Sequence, residues 1–289
     1  MDLRPGDSGV PVTHRASPGP PRVDWGDTPE GLRRTVESLV GPVSAATTVP
    51  AGLNAQLAAT LNVPGAKVFV KGLHRSHRSA FKLANEARIA PSVLGISPRL
   101  LHHGAAEDWE FLVFEYVEGR HADLSPGSPD LDALAGVLRR LLTVAEHDTF
   151  ASERIEKRWA RFADERDLGL LAGDRLVHSD LNAGNILISD RGAVLVDWAM
   201  PARGAAWLTI GFLLASLIGE GLAPAEAEGW AQHTFPEWSA AGRTAVDTFV
   251  AALARRRAEQ AANCPEPRRA ERRRQLLPAR QWLRFRGGP

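Results

Sequence analysis

Along residues 66–73, AKVFVKGL, apolar and polar positions alternate: Val68 and Val70 fall on one face, Phe69 and Lys71 on the other. A period of two is the mark of a half-buried strand. The runs PVSAATTV and AQLAATLNV before it, and PRLLHHG and WEFLVFEYVEG (109–119) after it, read the same way. Between them, RSAFKLANEARIAPSVLG (78–95) places apolar residues at helical spacing, and TPEGLRRTVESLVG (28–41) predicts a short helix ahead of the first strand. This stretch therefore predicts a mainly antiparallel sheet with one inserted helix.

Past Gly119 the period changes. DLDALAGVLRRLLTVAEH (130–147) and SERIEKRWARFADERDLGLL (152–171) predict helices, and helices resume from about Ala205 to the end. In between, RLVHSDL, NILIS and AVLVDW are short strands, the last two joined by the hairpin turn DRG. The pattern divides the chain into a flexible Pro/Gly-rich arm over residues 1–27, a sheet lobe over 28–117, and a helical lobe with a small β insert over 118–289. The fold class is α+β with two lobes and no internal repeat.

Composition narrows the function. One cysteine, Cys264, excludes an internal disulfide and a cysteine-rich metal cluster. The longest apolar stretch, WLTIGFLLASLIG (207–219), is too short for a bilayer and predicts a buried helix. The opening residues carry no apolar signal core, so a cytoplasmic protein without membrane contact is expected. Charge is uneven: residues 118–254 hold 12 basic and 20 acidic side chains, and from Arg255 onward there are 11 arginines against 3 acids. The basic tail is expected to be a terminal helix pair with a solvated face, with Leu276, Leu277, Trp282, Leu283 and Phe285 packing inward, and not a nucleic-acid surface.

The candidate chemistry begins at LVHSDLNAGNILIS (176–189). His178, Asp180 and Asn185 stand at strand ends, and a second apolar strand ends at Asp197. An Asx-turn network could absorb these groups. Their order and hairpin spacing favour the alternative, that they face a ligand.

This loop and the VLVDW aspartate resemble the protein-kinase-like superfamily, and within it the aminoglycoside phosphotransferase family of small-molecule kinases. The resemblance spans roughly residues 43–220 and implies a bilobal kinase-like fold. It implies an ATP- and Mg2+-dependent phosphotransferase acting on a hydroxyl of a small molecule, with an aminoglycoside or related aminocyclitol first among acceptors. By resemblance Asp180 orients the acceptor hydroxyl, Asn185 and Asp197 hold the metal, and His178 serves the loop's internal hydrogen bonds. Such kinases also need a strand lysine on the phosphates and a helix glutamate to hold it. Lys71 is assigned to the first role ahead of Lys67. Glu86, which shares an apolar face with Leu83 and Ala90, is assigned to the second. FLVFEYVEG resembles the hinge between lobes, where the backbone of Glu115 and Val117 would meet adenine beside Phe114.

The sequence also departs from the family. The phosphate-covering loop falls near TVPAGLNAQ, with only Gly52 and Asn54 suited to it. Thr209 stands where the family often has an acid that braces the catalytic loop. The stretch between Asp197 and Ala205 has no room for a long activation segment, which points away from protein kinases. The rival readings are a catalytically silent nucleotide-binding relative, a kinase of another metabolite, and a nucleic-acid-binding module built on the arginine tail. The acidic balance of residues 118–254 predicts a cationic or neutral acceptor, with Asp164, Glu165, Asp167 and Asp174 among the contributors.

Overall fold

The computed structural model describes residues 22–50, 55–144, 153–264 and 269–288. Five strands, β1 (Ala45–Thr48), β2 (Leu57–Val63), β3 (Ala66–His74), β4 (Leu100–Ala106) and β5 (Trp109–Glu115), form one antiparallel sheet in the order β1-β2-β3-β5-β4. Helix α1 (Glu30–Val40) covers one face and α2 (Phe81–Ile89), continued by a 3-10 turn over Ala90–Val93, lies on the other. The alternation in β3 sets this arrangement. Val68 and Val70 bury into the cluster with Leu32, Val36, Leu61 and Phe111, which leaves Phe69 and Lys71 on the opposite face.

Trp25 is buried in that same cluster, and the Val23 N–H donates to the Gln56 carbonyl. Residues 22–27 are thus built into the sheet lobe and do not belong to a flexible arm, because an indole of that size finds apolar cover there. Residues 1–21 lie outside the described residues.

The chain leaves β5 through residues 116–119, without regular structure, and enters the helical lobe at β6 (Arg120–His121). Here follow α3 (Asp130–Thr143), α4 (Ile155–Arg158), β7 (Arg175–His178), β8 (Ile186–Ser189), β9 (Gly192–Leu195), β10 (Pro201–Gly204), α5 (Trp207–Gly219), α6 (Pro224–Thr234), α7 (Pro236–Ala240), α8 (Arg243–Ala262) and α9 (Arg269–Phe285). Strands β8 and β9 form the expected hairpin, extended by β6, and β7 pairs with β10. The apolar run over α5 is buried along nearly its whole length, at the centre of the lobe.

Two expectations need correction. The helix over 152–171 is only the short α4. Asp164 is extended (φ −68°, ψ 138°), and a 3-10 turn over Glu165–Leu171 follows. Ile155, Trp159 and Phe162 are still buried, but along an irregular path, while Arg158 is held by backbone carbonyls beyond the helix. The tail packs as a helix pair, with Trp282 fully buried against Trp238 and Phe249, yet Leu277 and Phe285 face solvent. Arg286 is not on a solvated face either: it makes paired contacts to Glu228 at 2.6 and 2.7 Å and reaches Asp247.

A candidate active site in the cleft between the lobes

The catalytic-loop candidate follows β7. Its backbone is held from several sides. The Asp180 N–H donates to His178 Nδ1 at 3.3 Å, and His178 Nε2 donates to the Val196 carbonyl at 3.1 Å. The ring of His178 sits edge-on to Trp198 at 4.4 Å. Burial lowers the His178 pKa below the ordinary value, which suits a neutral ring that accepts at one nitrogen and donates at the other. His178 thus ties the loop to the strand end that carries Asp197.

Asn182 turns the loop, accepting from the Gly184 N–H and donating to Asp180 Oδ1 at 3.2 Å. Asn185 Nδ2 donates to the Asp180 carbonyl at 2.8 Å. Because that bond fixes the amide nitrogen, the Asn185 oxygen is directed the other way. Asp180 lines a small pocket with His178, Ser179, Asp197, Trp198, Met200 and Pro201. Among the described residues no cation lies at ion-pair distance from it.

Asp197 adopts φ +66°, in the left-handed region that a non-glycine residue rarely occupies. Strain of this kind concentrates at functional sites. Its carboxylate meets Lys71 Nζ at 3.1 Å, and Lys71 Nζ meets Glu86 Oε1 at 2.6 Å. One lysine from the sheet lobe therefore bridges a glutamate of α2 and an aspartate of the helical lobe. Burial opposes the charge on Lys71, but Asp197 and Glu86 outweigh it, so its pKa lies above that of ordinary lysine. Burial pushes the Glu86 carboxyl up, against the pull of Lys71. Lys67 instead lies over the Tyr116 ring and among the described residues reaches only the exposed Glu118, at 3.6 Å.

Further bonds lock the lobes together. The Leu195 N–H donates to the Ile96 carbonyl at 2.8 Å, Asn85 Nδ2 to the Ala199 carbonyl at 3.1 Å, and Trp198 Nε1 to Ser97 Oγ at 2.7 Å. At the hinge, the Glu115 N–H is used by the Arg99 carbonyl. The backbone N–H and carbonyl of Val117 have no hydrogen-bond partner among the described residues. Gly52 and Asn54 of the expected phosphate loop lie outside the described residues.

Thr209, singled out in the sequence for the acid it replaces, is fully buried on α5 and accepts from the His178 N–H at 3.3 Å, so it braces the loop with a hydroxyl. Two features were not read from the sequence. Arg158 donates to Ser179 Oγ at 3.5 Å and to the carbonyls of Met200 and Pro201 at 3.3 and 2.6 Å. Arg256 and Arg257 of α8 come close enough to Asp180 to feel its charge. Local sequence could have hinted only at the run of three arginines, 255–257.

The donor set suits a hard cation held jointly with phosphate oxygens: one carboxylate at Asp197 and one amide oxygen at Asn185. Among the described residues no three His, Cys, Asp or Glu side chains converge. A metal here would therefore take its remaining ligands from a bound nucleotide or water.

The fold is the one shared by a set of solved phosphotransferase and kinase structures. The model of a phosphotransferase enzyme family matches residues 125–243, which include the candidate catalytic loop, Asp197 and Thr209. The chain is similar in structure to the aminoglycoside phosphotransferase APH(4)-Ia in ternary complex with ADP and hygromycin B. That match has 13% identity and a TM-score of 0.57, and covers 87% of this chain and 98% of the other. The choline kinase LicA from Streptococcus pneumoniae matches with 15% identity, 88% and 98% coverage and a TM-score of 0.57. An amicoumacin kinase in complex with AMP-PNP, Ca2+ and Ami matches with 12% identity, 90% and 94% coverage and a TM-score of 0.58. No curated protein sequence matches the chain. The chain thus has the bilobal kinase-like fold and resembles the aminoglycoside phosphotransferases and related small-molecule kinases.

Proposed function

We propose that the protein transfers the terminal phosphoryl group of ATP, bound with Mg2+, to a hydroxyl of a small molecule. The observation that carries this reading is the Asp197–Lys71–Glu86 chain across the cleft, standing beside a loop whose Asp180 is left without a cation at ion-pair distance. In this reading Lys71 contacts the nucleotide phosphates, and Glu86 holds the lysine forward. The carbonyl of Glu115 and the N–H of Val117 receive adenine.

Asn185 and Asp197 would hold Mg2+, which when bound neutralises charge on the phosphates. Asp180 accepts a hydrogen bond from the acceptor hydroxyl and takes its proton as the oxygen bonds to phosphorus and ADP leaves. Asn182 engages one Asp180 oxygen, which leaves the other for the acceptor. His178, Thr209 and Arg158 keep the loop in the geometry that transfer needs.

The small molecules met by this fold vary: the similar structures include an aminoglycoside phosphotransferase in complex with hygromycin B, a choline kinase and an amicoumacin kinase. The resemblance puts an aminoglycoside or aminocyclitol first, making the protein an antibiotic-modifying kinase. The arginines beside Asp180 oppose a polycation and favour a kinase of a different metabolite. An ADP-release screen over hydroxylated metabolites and antibiotics tests the reading. Saturable, Mg2+-dependent AMP-PNP binding with no acceptor turned over would support the silent relative instead.

A further inference from the structure

Asp180 faces two differently charged surroundings. On the nucleotide side, Lys71 responds to Asp197 and Glu86. On the other side stand arginines of the helical lobe. Arg158 reaches Ser179, the neighbour of Asp180, and Trp159 next along the chain carries the guanidinium of Arg256 over its ring at 5.7 Å. Arg257 donates to the Gln275 carbonyl at 2.8 Å, and Arg272 to Gln275 Oε1 at 2.8 Å.

These cations are poorly balanced. Arg256 has no hydrogen bond or ion pair among the described residues, and neither Arg257 nor Arg272 has a carboxylate partner there. Burial and, after it, the neighbouring arginines lower both α8 guanidinium pKa values against the opposing pull of Asp180, Arg257 to about 10. Both remain charged at neutral pH. The anion that offsets them is Asp180, whereas Asp197 acts on Lys71 and Arg22. A group of like charges beside a catalytic carboxylate is costly unless an anion joins it. The family match ends at residue 243, before these arginines begin.

We propose that the acceptor carries an anionic group, a carboxylate or a phosphate, near its reactive hydroxyl, and that Arg256 and Arg257 bind that group. This rests on the kinase reading of the site. It reverses the expectation drawn from the acidic balance of residues 118–254. That balance counts charges over a whole lobe, while Arg256 and Arg257 of α8, which interact with the Asp180 charge, come from outside the counted range. Of the acids first considered, Asp174 is paired with Arg203, and Asp167 lies 3.7 Å from Arg166.

Two measurements test the proposal. The first follows ADP release with Mg2+-ATP and matched acceptors: glucose, glucosamine, glucuronate and glucose 6-phosphate; glycerol, glycerate and glycerol 3-phosphate; and kanamycin. The anionic member of a series should be the better acceptor by about tenfold or more in kcat/KM, as charge-assisted binding would give. The carboxylate and phosphate arms separate the two sources. In Arg256→Gln/Arg257→Gln that preference should vanish through acceptor KM, and Arg256→Lys/Arg257→Lys should restore part of it.

The second measurement titrates inorganic sulfate and phosphate by calorimetry into protein saturated with AMP-PNP and Mg2+. Binding should be saturable in the wild type and at least about tenfold weaker in the double glutamine variant. Should that variant unfold, Arg256→Gln alone, which loses no hydrogen bond, replaces it. The titration decides even when no compound is turned over. Anion binding that is absent, or unaltered by the substitutions, overturns the proposal, as does preferred turnover of kanamycin. The kinase reading fails separately, if AMP-PNP and Mg2+ do not bind the wild type or bind Asp197→Ala equally well.

Discussion

Asp197 and Asp180 stand just past neighbouring strand ends, β9 and β7, yet they meet positive charge in different ways. Asp197 touches Lys71 directly, and that lysine is supplied by the sheet lobe and steadied by Glu86. Among the described residues the Asp180 carboxylate hydrogen-bonds only to Asn182, and positive charge reaches it from α8 at a distance. A carboxylate in direct contact with a cation is committed to an electrostatic frame. One held by an amide, with cations nearby, keeps an oxygen free to accept a proton. The difference separates a position suited to nucleotide and metal from one suited to the acceptor.

The largest effects should come from breaking the two carboxylates separately. Asp180→Asn should lower turnover by about a thousandfold, the scale of a lost catalytic base, with AMP-PNP affinity within about twofold of wild type. Asp197→Ala should abolish Mg2+-dependent AMP-PNP binding, as followed by calorimetry with and without the metal. If Asp180→Asn weakened nucleotide binding as strongly as Asp197→Ala, the two sites would not be distinct.

Next in size is the lysine bridge. Lys71 and Glu86 are nearly buried, with side chains 12% and 5% exposed. Removing one partner of such a pair costs about 3–5 kcal/mol when the other is left charged. Lys71→Met leaves two carboxylates, Glu86 and Asp197, without their shared cation. Glu86→Gln puts a neutral amide where burial already disfavours charge. The melting temperature of the ligand-free protein should therefore fall more for Lys71→Met than for Glu86→Gln, while AMP-PNP affinity falls in both. The reverse order would mean that Glu86, not Lys71, holds the bridge together.

This asymmetry also explains how much the sequence disclosed. The strand alternation around Lys71 and the apolar face of Glu86 are local patterns, and they suffice to locate the pair. The same holds for the catalytic loop and its hairpin, where turn residues and strand ends are written in order. What stayed hidden depends on contacts between distant parts of the chain. β10, with proline at one end and glycine at the other, reads as a loop until β7 pairs with it. The 152–171 segment has helical spacing, but Arg158 is drawn to carbonyls at Met200 and Pro201, and the chain turns away. The α8 arginines look like a solvated tail until Arg256 packs over Trp159 and both Arg256 and Arg257 come within range of the Asp180 charge. Lobe-wide charge says little about the surroundings of one carboxylate, because Coulomb interactions weaken with distance and nearby charges dominate.

Thr209 offers a smaller test within the helical lobe. Its hydroxyl accepts the His178 N–H in a fully buried position. Thr209→Val keeps the shape and leaves that N–H without a partner, at about 1–3 kcal/mol. Thermal melts should show the loss, and turnover should drop severalfold with AMP-PNP affinity retained, since the strain falls on the Asp180 loop. Unchanged melting would mean that His178 and Ser216, which bonds the Leu181 carbonyl, hold the loop without it.

The smallest effect is a pH dependence that distinguishes His178 from Glu86. Burial lowers the His178 pKa in the folded protein, so below pH 6.5 the unfolded chain takes up a proton there that the folded chain refuses. The sign follows: this contribution is fully present above pH 6.5 and is lost as pH falls toward the folded value. Glu86 is shifted up instead, so it gives the opposite slope, losing stability as pH rises above the ordinary carboxylate range. A single melting curve against pH would mix the two. A comparison with His178→Gln removes the ambiguity, because both proteins keep Glu86, and glutamine can still donate to the Val196 carbonyl and accept from the Asp180 N–H. The melting-temperature gap between wild type and His178→Gln should narrow between pH 7.5 and 5.5. A constant gap would show that the ring takes its proton inside the fold, and the neutral tether between the Asp180 loop and the Asp197 strand would have to be abandoned.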